Sequence, residues 1–284
     1  MSGGRSLVLG GGGIAGLGWF AGLLCGLYES GVDLRDADRM VGTSVGAATA
    51  AQLRSSQSIE TLFARQSDPA LIADEPLPSM EMLVQTLARY PALMALADHA
   101  ERMAAMGELA LGAQSVAPDV RRAMVERRLS EHDWPERPLT VTAIDIETGT
   151  LTCFDASSGV DLVDAVAASC AVPGVWPVVR IAERSFIDGG VYSSDNAHLA
   201  AGSAKVLIIS PLGEAMPFPP GYRLADQVNA LEAGGSTVMA IGPDGAARAA
   251  MGNNPLDPAV RAPSAFAGLD QGRKLAAQVK AFWN

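Results

Sequence analysis

This 284-residue chain is short of cysteine, histidine and charge, and each shortage excludes something. Its three cysteines, Cys25, Cys153 and Cys170, are odd in number and contain no Cys-x-x-Cys pair. A disulfide framework is therefore not expected, and a reducing, cytoplasmic setting is. The three histidines, His99, His132 and His198, show no zinc-ligand spacing, so no metal or other cofactor is expected. Charged residues are 18% of the chain against 49% hydrophobic, the balance of a folded globular protein rather than a disordered one. Cations are outnumbered as well. A formal net charge of −10 sets repulsion against nucleic acid and against strong electrostatic attachment to anionic membranes.

One long uncharged run stands out, from Leu7 to Tyr28. It is long enough for a signal peptide or a membrane span. Eight of its residues are glycine, however, four of them consecutive. Each costs a helix about 1 kcal/mol relative to alanine. Leu24 before Cys25 also suits no cleavage site, so export is not expected. The run reads instead as a strand over Ser6–Leu9 and a small-residue helix over Gly16–Tyr28. Further on, strands and helices alternate. A strand ends at Met40 and Val41, a helix opens at Val45, and a mostly helical segment fills about 58–130. A β-hairpin turns at Thr148-Gly149, a helix spans Leu162–Cys170, and "SFID", "KVLIIS" and "STVMAI" follow as strands before a helical tail over Asp257–Trp283. That alternation predicts a three-layer α/β/α fold with a mainly parallel central sheet. With no repeat and no linker, residues 1–284 are expected to form one domain.

The glycines at 10–13 open the pattern Gly11-x-Gly13-x-x-Gly16, which is also the dinucleotide-binding fingerprint. That site needs an acidic residue at the end of the second strand. Here the second strand runs instead into Gly42-Thr43-Ser44-Val45-Gly46. Gly-x-Ser-x-Gly between a strand and a helix is a nucleophile elbow, in which flanking glycines Gly42 and Gly46 allow the sharp turn that exposes the serine. Both motifs fall at strand-to-helix turns of neighbouring units, on the sheet edge where open α/β sheets bind ligands. The backbone N–H groups of Gly11, Gly12 and Gly13 can then face the carbonyl oxygen that Ser44 attacks. An α/β-hydrolase would use histidine as base and precede its elbow with several strands, whereas one strand precedes Ser44. His198 is one candidate base. Asp188 in "SFIDGGV" is the stronger, because it ends an apolar strand where burial can raise its pKa.

In that order, the glycine turn, the Ser44 elbow and Asp188-Gly189-Gly190 resemble the patatin-like phospholipase family. "LVDAVAASCAVPGVWPVVRIAERSFIDGGV" is similar to the family's approach to its catalytic aspartate, and "AIDIETG" to the hairpin before it. The resemblance spans roughly residues 5–215. It implies Ser44 as nucleophile, Asp188 as base of a Ser-Asp dyad without histidine, and Gly11, Gly12 and Gly13 as oxyanion hole. It also implies a lipid acyl hydrolase of phospholipase A or lysophospholipase type, needing no cofactor and touching membrane surfaces transiently. Two departures mark the chain. Ala15 stands where many members carry Arg or Lys, and Asn196 is followed by Ala197-His198 rather than x-Pro. An acyltransferase would use the same residues, and a non-catalytic lipid-binding or regulatory protein is the alternative on this fold. Within the helical segment, Met80, Met82, Met94, Met103, Met106 and Met124 suit either an adaptable acyl groove or helix packing, with packing favoured. Arg121, Arg122, Arg127 and Arg128 suit either a phosphate or membrane surface or a solvated face paired with Glu126 and Glu131, with the solvated face favoured. Trp176 reads equally as site entrance or core.

Overall fold

The computed structural model describes residues 3–71 and 79–284. Its strands are β1 (Arg5–Leu9), β2 (Arg39–Thr43), β3 (Leu139–Asp145), β4 (Leu151–Phe154), β5 (Val179–Ile181), β6 (Arg184–Asp188), β7 (Lys205–Ile209) and β8 (Thr237–Ile241). Its helices are α1 (Gly13–Glu29), α2 (Val45–Leu53), α3 (Ile59–Ser67), α4 (Met80–Met94), α5 (His99–Leu111), α6 (Pro118–Arg128), α7 (Leu162–Ser169), α8 (Leu224–Ala233), α9 (Gly245–Met251) and α10 (Arg261–Trp283). β1 is apolar on both faces because both are covered. Leu7 and Leu9 pack with α1 and α10, whereas Val8 packs with Ala197, Ala200 and Leu231 on the other side. The result is the expected mixed α/β fold, a central sheet between layers of helix.

Five strands run parallel in the order β8-β7-β1-β2-β3. β3 is where the sheet changes character. Antiparallel β4 covers one of its edges, pairing Val141–Ile144. The other edge is shared. Its first part pairs β2, ending at Thr43↔Thr142, and its last part pairs antiparallel β6, from Ala143↔Asp188. Consecutive positions of β3 thus bring the end of β2 and the end of β6 together.

The C-terminal helix α10 lies in backbone contact with α1, and glycine is what permits it. A Cβ on Gly22 would fall 1.8 Å from the Ala265 carbonyl oxygen, and one on Gly268 would fall 2.3 Å from that of Trp19. Trp19 and Trp283 are fully buried in the same layer, and Trp19 Nε1 donates to Gln271 Oε1 at 2.9 Å. Of the eight glycines in the uncharged run, Gly18, Gly22 and Gly26 thus serve packing on a second helix, which explains why the helical part of so hydrophobic a segment carries them. Gly22→Ala is expected to lower stability by about 3 kcal/mol, read as a shift in urea midpoint at unchanged slope.

Several boundaries differ from those the sequence suggests. α1 begins at Gly13 rather than Gly16, because the glycine turn itself enters the first helical turn. The tail starts as a 3-10 turn over Pro258–Val260 before α10 takes over. β5, α8 and α9 were not anticipated, being short or weakly patterned. Among the described residues, the helical segment holds the four helices α3 to α6. Among the described residues, no helix is long and apolar enough to cross a membrane.

Candidate active site

Ser44 is the single residue between β2 and α2, with φ 56° and ψ −127°. Such a conformation costs a non-glycine residue on the order of 1–3 kcal/mol and persists only where its surroundings impose it. Two contacts impose it here. α2 starts hard against the end of β1, so close that a Cβ on Gly46 would lie 2.0 Å from the Leu9 carbonyl oxygen. From the other side, the Ser44 N–H donates to the Ser169 hydroxyl at 2.9 Å, at the end of α7. Ser169 is fully buried. Sequence reasoning missed it, and its only signal was a polar residue in the apolar run "DAVAASCAV".

Asp188 ends β6 and faces Ser44 across the last pairs of β3. Asn196 holds the two ends in register. Fully buried and left-handed at φ 50°, it directs its amide nitrogen at Thr43 Oγ1 (3.0 Å), Thr142 Oγ1 (3.3 Å) and the Gly189 carbonyl (3.1 Å). One side chain therefore ties the residue before Ser44 to the residue after Asp188. Burial raises the Asp188 pKa to about 7. Hydrogen bonding from the Ser44 hydroxyl and the Gly190 N–H (2.7 Å), and the charge of Arg121, each pull it partly back down. A carboxyl that titrates near neutrality meets the requirement for a general base far better than one near 4.

The glycine turn closes the third side. Gly11 donates its N–H to the Ser194 carbonyl at 2.8 Å, so that amide is engaged within the protein. The amides of Gly12 and Gly13, at the N-terminus of α1, have no protein partner among the described residues. Gly13 has φ +62°, and a Cβ there would lie 2.5 Å from the Pro255 carbonyl oxygen. Gly11, Gly12, Gly13, Ser44 and Asp188 line one cleft of about 690 Å³, walled mainly by apolar side chains such as Leu87, Met94, Leu212 and Met216. Tyr90 lines it too. Its hydroxyl donates to the Pro173 carbonyl at 2.8 Å, and burial first, then the nearby Asp188, push its pKa well up, so it stays protonated.

No histidine lines this cleft. His99 is bonded to the Gly149 carbonyl, His132 sits beside Glu126, and His198 lies with its ring tilted against Tyr192, centroids 5.5 Å apart, in an environment whose burial lowers its pKa. Met94 reaches the cleft, whereas Met103, Met106 and Met124 are core. Met80 and Met82 belong to α4, but their side chains lie outside the described part of the structure. The arginine face is not uniformly solvated. Arg122 pairs with Asp164 (2.6 Å) and, more loosely, with Glu126, while Arg121 is 3% exposed and stacks 3.9 Å over Trp176. Glu131 instead accepts from the Ser56 N–H. Trp176 is itself buried. Among the described residues no group of three or more potential metal-ligating side chains occurs.

A second buried carboxyl, Asp195, lies under the glycine turn. Its Oδ1 sits where a Cβ on Gly10 would be, 2.0 Å away, and has no hydrogen-bond partner among the described residues. Burial raises its pKa to about 7, against hydrogen bonding from Ser210. The folded state therefore keeps a proton that the unfolded chain loses near pH 4, and the destabilising charge develops as pH rises from 4 through 7. Asp195→Asn should stabilise the protein at pH 8 relative to its effect at pH 4, by on the order of 2–4 kcal/mol. Denaturant unfolding at the two pH values measures this directly.

A strained serine at one strand end, a carboxyl at the next and the Gly12 and Gly13 amides opposite thus meet at the C-terminal ends of the parallel strands, where open α/β sheets bind ligands. The patatin-like phospholipase family model matches residues 7–201. The chain belongs to that family, and so to the lipid ester hydrolases. Among solved structures it is similar to VipD from Legionella pneumophila, at 15% identity and TM-score 0.48 over 97% of this chain and 67% of that one. It is also similar to the type III effector ExoU, at 15% identity and TM-score 0.44 over 98% of this chain and 53% of that one. ExoU from Pseudomonas aeruginosa in complex with SpcU gives 17% identity and TM-score 0.44, with 99% and 53% covered. The chain thus spans about half the length of ExoU. No curated protein sequence matches it significantly.

Proposed function

We propose that this chain is a serine lipid acyl hydrolase, of phospholipase A or lysophospholipase type, that works through a Ser44–Asp188 dyad and an acyl-enzyme. The observation that carries the reading is the placement of Ser44, Asp188 and the open amides of Gly12 and Gly13 around one apolar cleft that no histidine lines. Asp188 takes the Ser44 proton as Oγ attacks the ester carbonyl carbon. The Gly12 and Gly13 N–H groups, reinforced by the α1 dipole, hold the oxyanion. The tetrahedral intermediate collapses by breaking the bond to the alcohol oxygen, which leaves with the proton returned from Asp188. Water, deprotonated by Asp188, then attacks the acyl-serine, and the intermediate collapses by breaking the bond to Ser44 Oγ, which takes the proton back from Asp188 as the fatty acid leaves. Gly11 contributes by anchoring the turn to Ser194 rather than by donating to the oxyanion.

The apolar walls suit a fatty-acyl chain, and Val84 is an exposed apolar residue on α4, the helix whose Leu87, Tyr90 and Met94 line the cleft, while Leu111 is exposed at the end of α5. They support a transient, apolar contact with a lipid surface, which a net charge of −10 would not assist electrostatically. The proposal takes residues 1–284 as one domain in a cytoplasmic setting, consistent with three cysteines that remain free thiols. The test is hydrolysis of a p-nitrophenyl ester series and of one phospholipid by the wild type and Ser44→Ala, with product analysis in the presence of an alcohol acceptor to score acyl transfer. Cleavage lost in the variant supports the reading. Lipid binding with no cleavage and no covalent labelling of Ser44 by a fluorophosphonate overturns it in favour of a binding protein.

A further inference from the structure

Arg121 belongs to α6, outside the sheet that carries the dyad, yet it is buried beside the site. Its guanidinium lies 3.9 Å over the centre of the Trp176 ring. Arg121 and Trp176 line one small space together with Gly13 and Ser44, and that space has room for about one water. A buried cation with so little water around it is weakly screened. The stretch from Ser169 to Trp176 holds the groups in one frame. Ser169 Oγ accepts the Ser44 N–H at 2.9 Å, the Ala171 carbonyl accepts the Asp188 N–H at 3.0 Å, and the Val172 carbonyl accepts the Trp176 N–H at 3.0 Å. Nucleophile, base and the ring that carries the cation are therefore fixed by the same short piece of chain. Other ionisable groups stand close by. Tyr90 approaches Asp188 from α4 as a protonated hydroxyl, and Cys170 at the end of α7 and Arg128 on α6 border the small space. Arg121 is the cation whose charge acts on the Asp188 carboxyl.

We infer that Arg121 is a positioning residue for the reaction, a buried cation held by Trp176 that keeps Asp188 in the ionised form able to take the Ser44 proton at neutral pH. The inference rests on the acyl-hydrolase reading above. Burial drives a carboxyl towards its neutral form, which accepts no proton. A cation nearby favours the carboxylate and works against burial. The Trp176 ring contributes a cation–π contact that keeps the guanidinium in place. Arg122, the next residue on α6, differs. Its side chain is 40% exposed and pairs with Asp164 at 2.6 Å, which makes it the control.

The experiment follows fluorophosphonate labelling of Ser44 and cleavage of a p-nitrophenyl ester across the pH range in the wild type, Arg121→Met, Arg121→Lys and Arg122→Met, with thermal melts to confirm folding. Methionine fills much of the arginine's space without its charge. Its midpoint is expected to lie about one pH unit above that of the wild type, and labelling on the acid side of the midpoint to fall about tenfold. Lysine restores a cation and brings the midpoint back towards the wild-type value, while Arg122→Met leaves it unmoved. A role confined to packing would lower rates or melting temperature without moving the midpoint. A folded Arg121→Met with the wild-type midpoint therefore overturns the inference and leaves the hydrolase reading standing, and so does an equal shift in Arg122→Met. A wild type that cleaves no ester and whose Ser44 takes no fluorophosphonate overturns both. Should Arg121→Met not fold, Arg121→Gln is the neutral variant read by the same criterion.

Discussion

Asparagine in place of Asp188 lowers kcat/KM for ester cleavage by about 10³–10⁴-fold while the fold survives. The substitution preserves shape and removes the carboxylate that hydrogen-bonds the Ser44 hydroxyl. Its effect on stability has a definite sign. Asp188 is buried and titrates at about 7 against about 4 in the unfolded chain, so its carboxylate costs the fold progressively more as pH rises from 4 through 7. At pH 4 the group is neutral in the fold and the amide differs little from it. The variant should therefore be as stable as wild type at pH 4 and more stable at pH 8, while being inactive at both. Activity and stability move in opposite directions, which is the mark of a group held at a cost for its chemistry. Rates at pH 8 and melting temperatures at both pH values check this.

Ser44→Ala has the larger effect on turnover, about 10⁵-fold or more, because no acyl-enzyme can form. Adding Asp188→Asn to it should cost almost nothing further. Two groups that act on one proton do not contribute separately, and the double variant measures that coupling. On this account the small residual rate is the one expected of the Gly12 and Gly13 amides alone. Alanine keeps the Cβ and hence the backbone strain at φ 56°, so stability should change little. Loss of activity accompanied by unfolding would instead place Ser44 among structural residues.

What the sequence could and could not reveal follows from the range of the interactions involved. β1, β2 and α2 are visible because their signals are local: apolar runs interrupted by glycines where the chain must turn. Ser44 and Asp188 stand out for the same reason, each at the end of an apolar strand beside glycine. Their meeting is not local. It depends on β3 dividing one edge between β2 and β6, and no residue of β3 announces that. Ser169 and Asn196 act through single long-range hydrogen bonds that leave no periodic trace. Gly11 reads like Gly12 and Gly13 in sequence, and only the Ser194 carbonyl distinguishes them.

The central claim is that Asp188, and no histidine, sets the reactivity of Ser44. The most direct measurement is the rate of fluorophosphonate labelling at Ser44 from pH 5 to 9 in the wild type, Asp188→Asn and His198→Ala. The account predicts a wild-type rate that rises with a midpoint near pH 7, an unchanged profile in His198→Ala, and a slow rate without that midpoint in Asp188→Asn. Labelling of Asp188→Asn at the wild-type rate, or its loss in His198→Ala, would contradict the dyad.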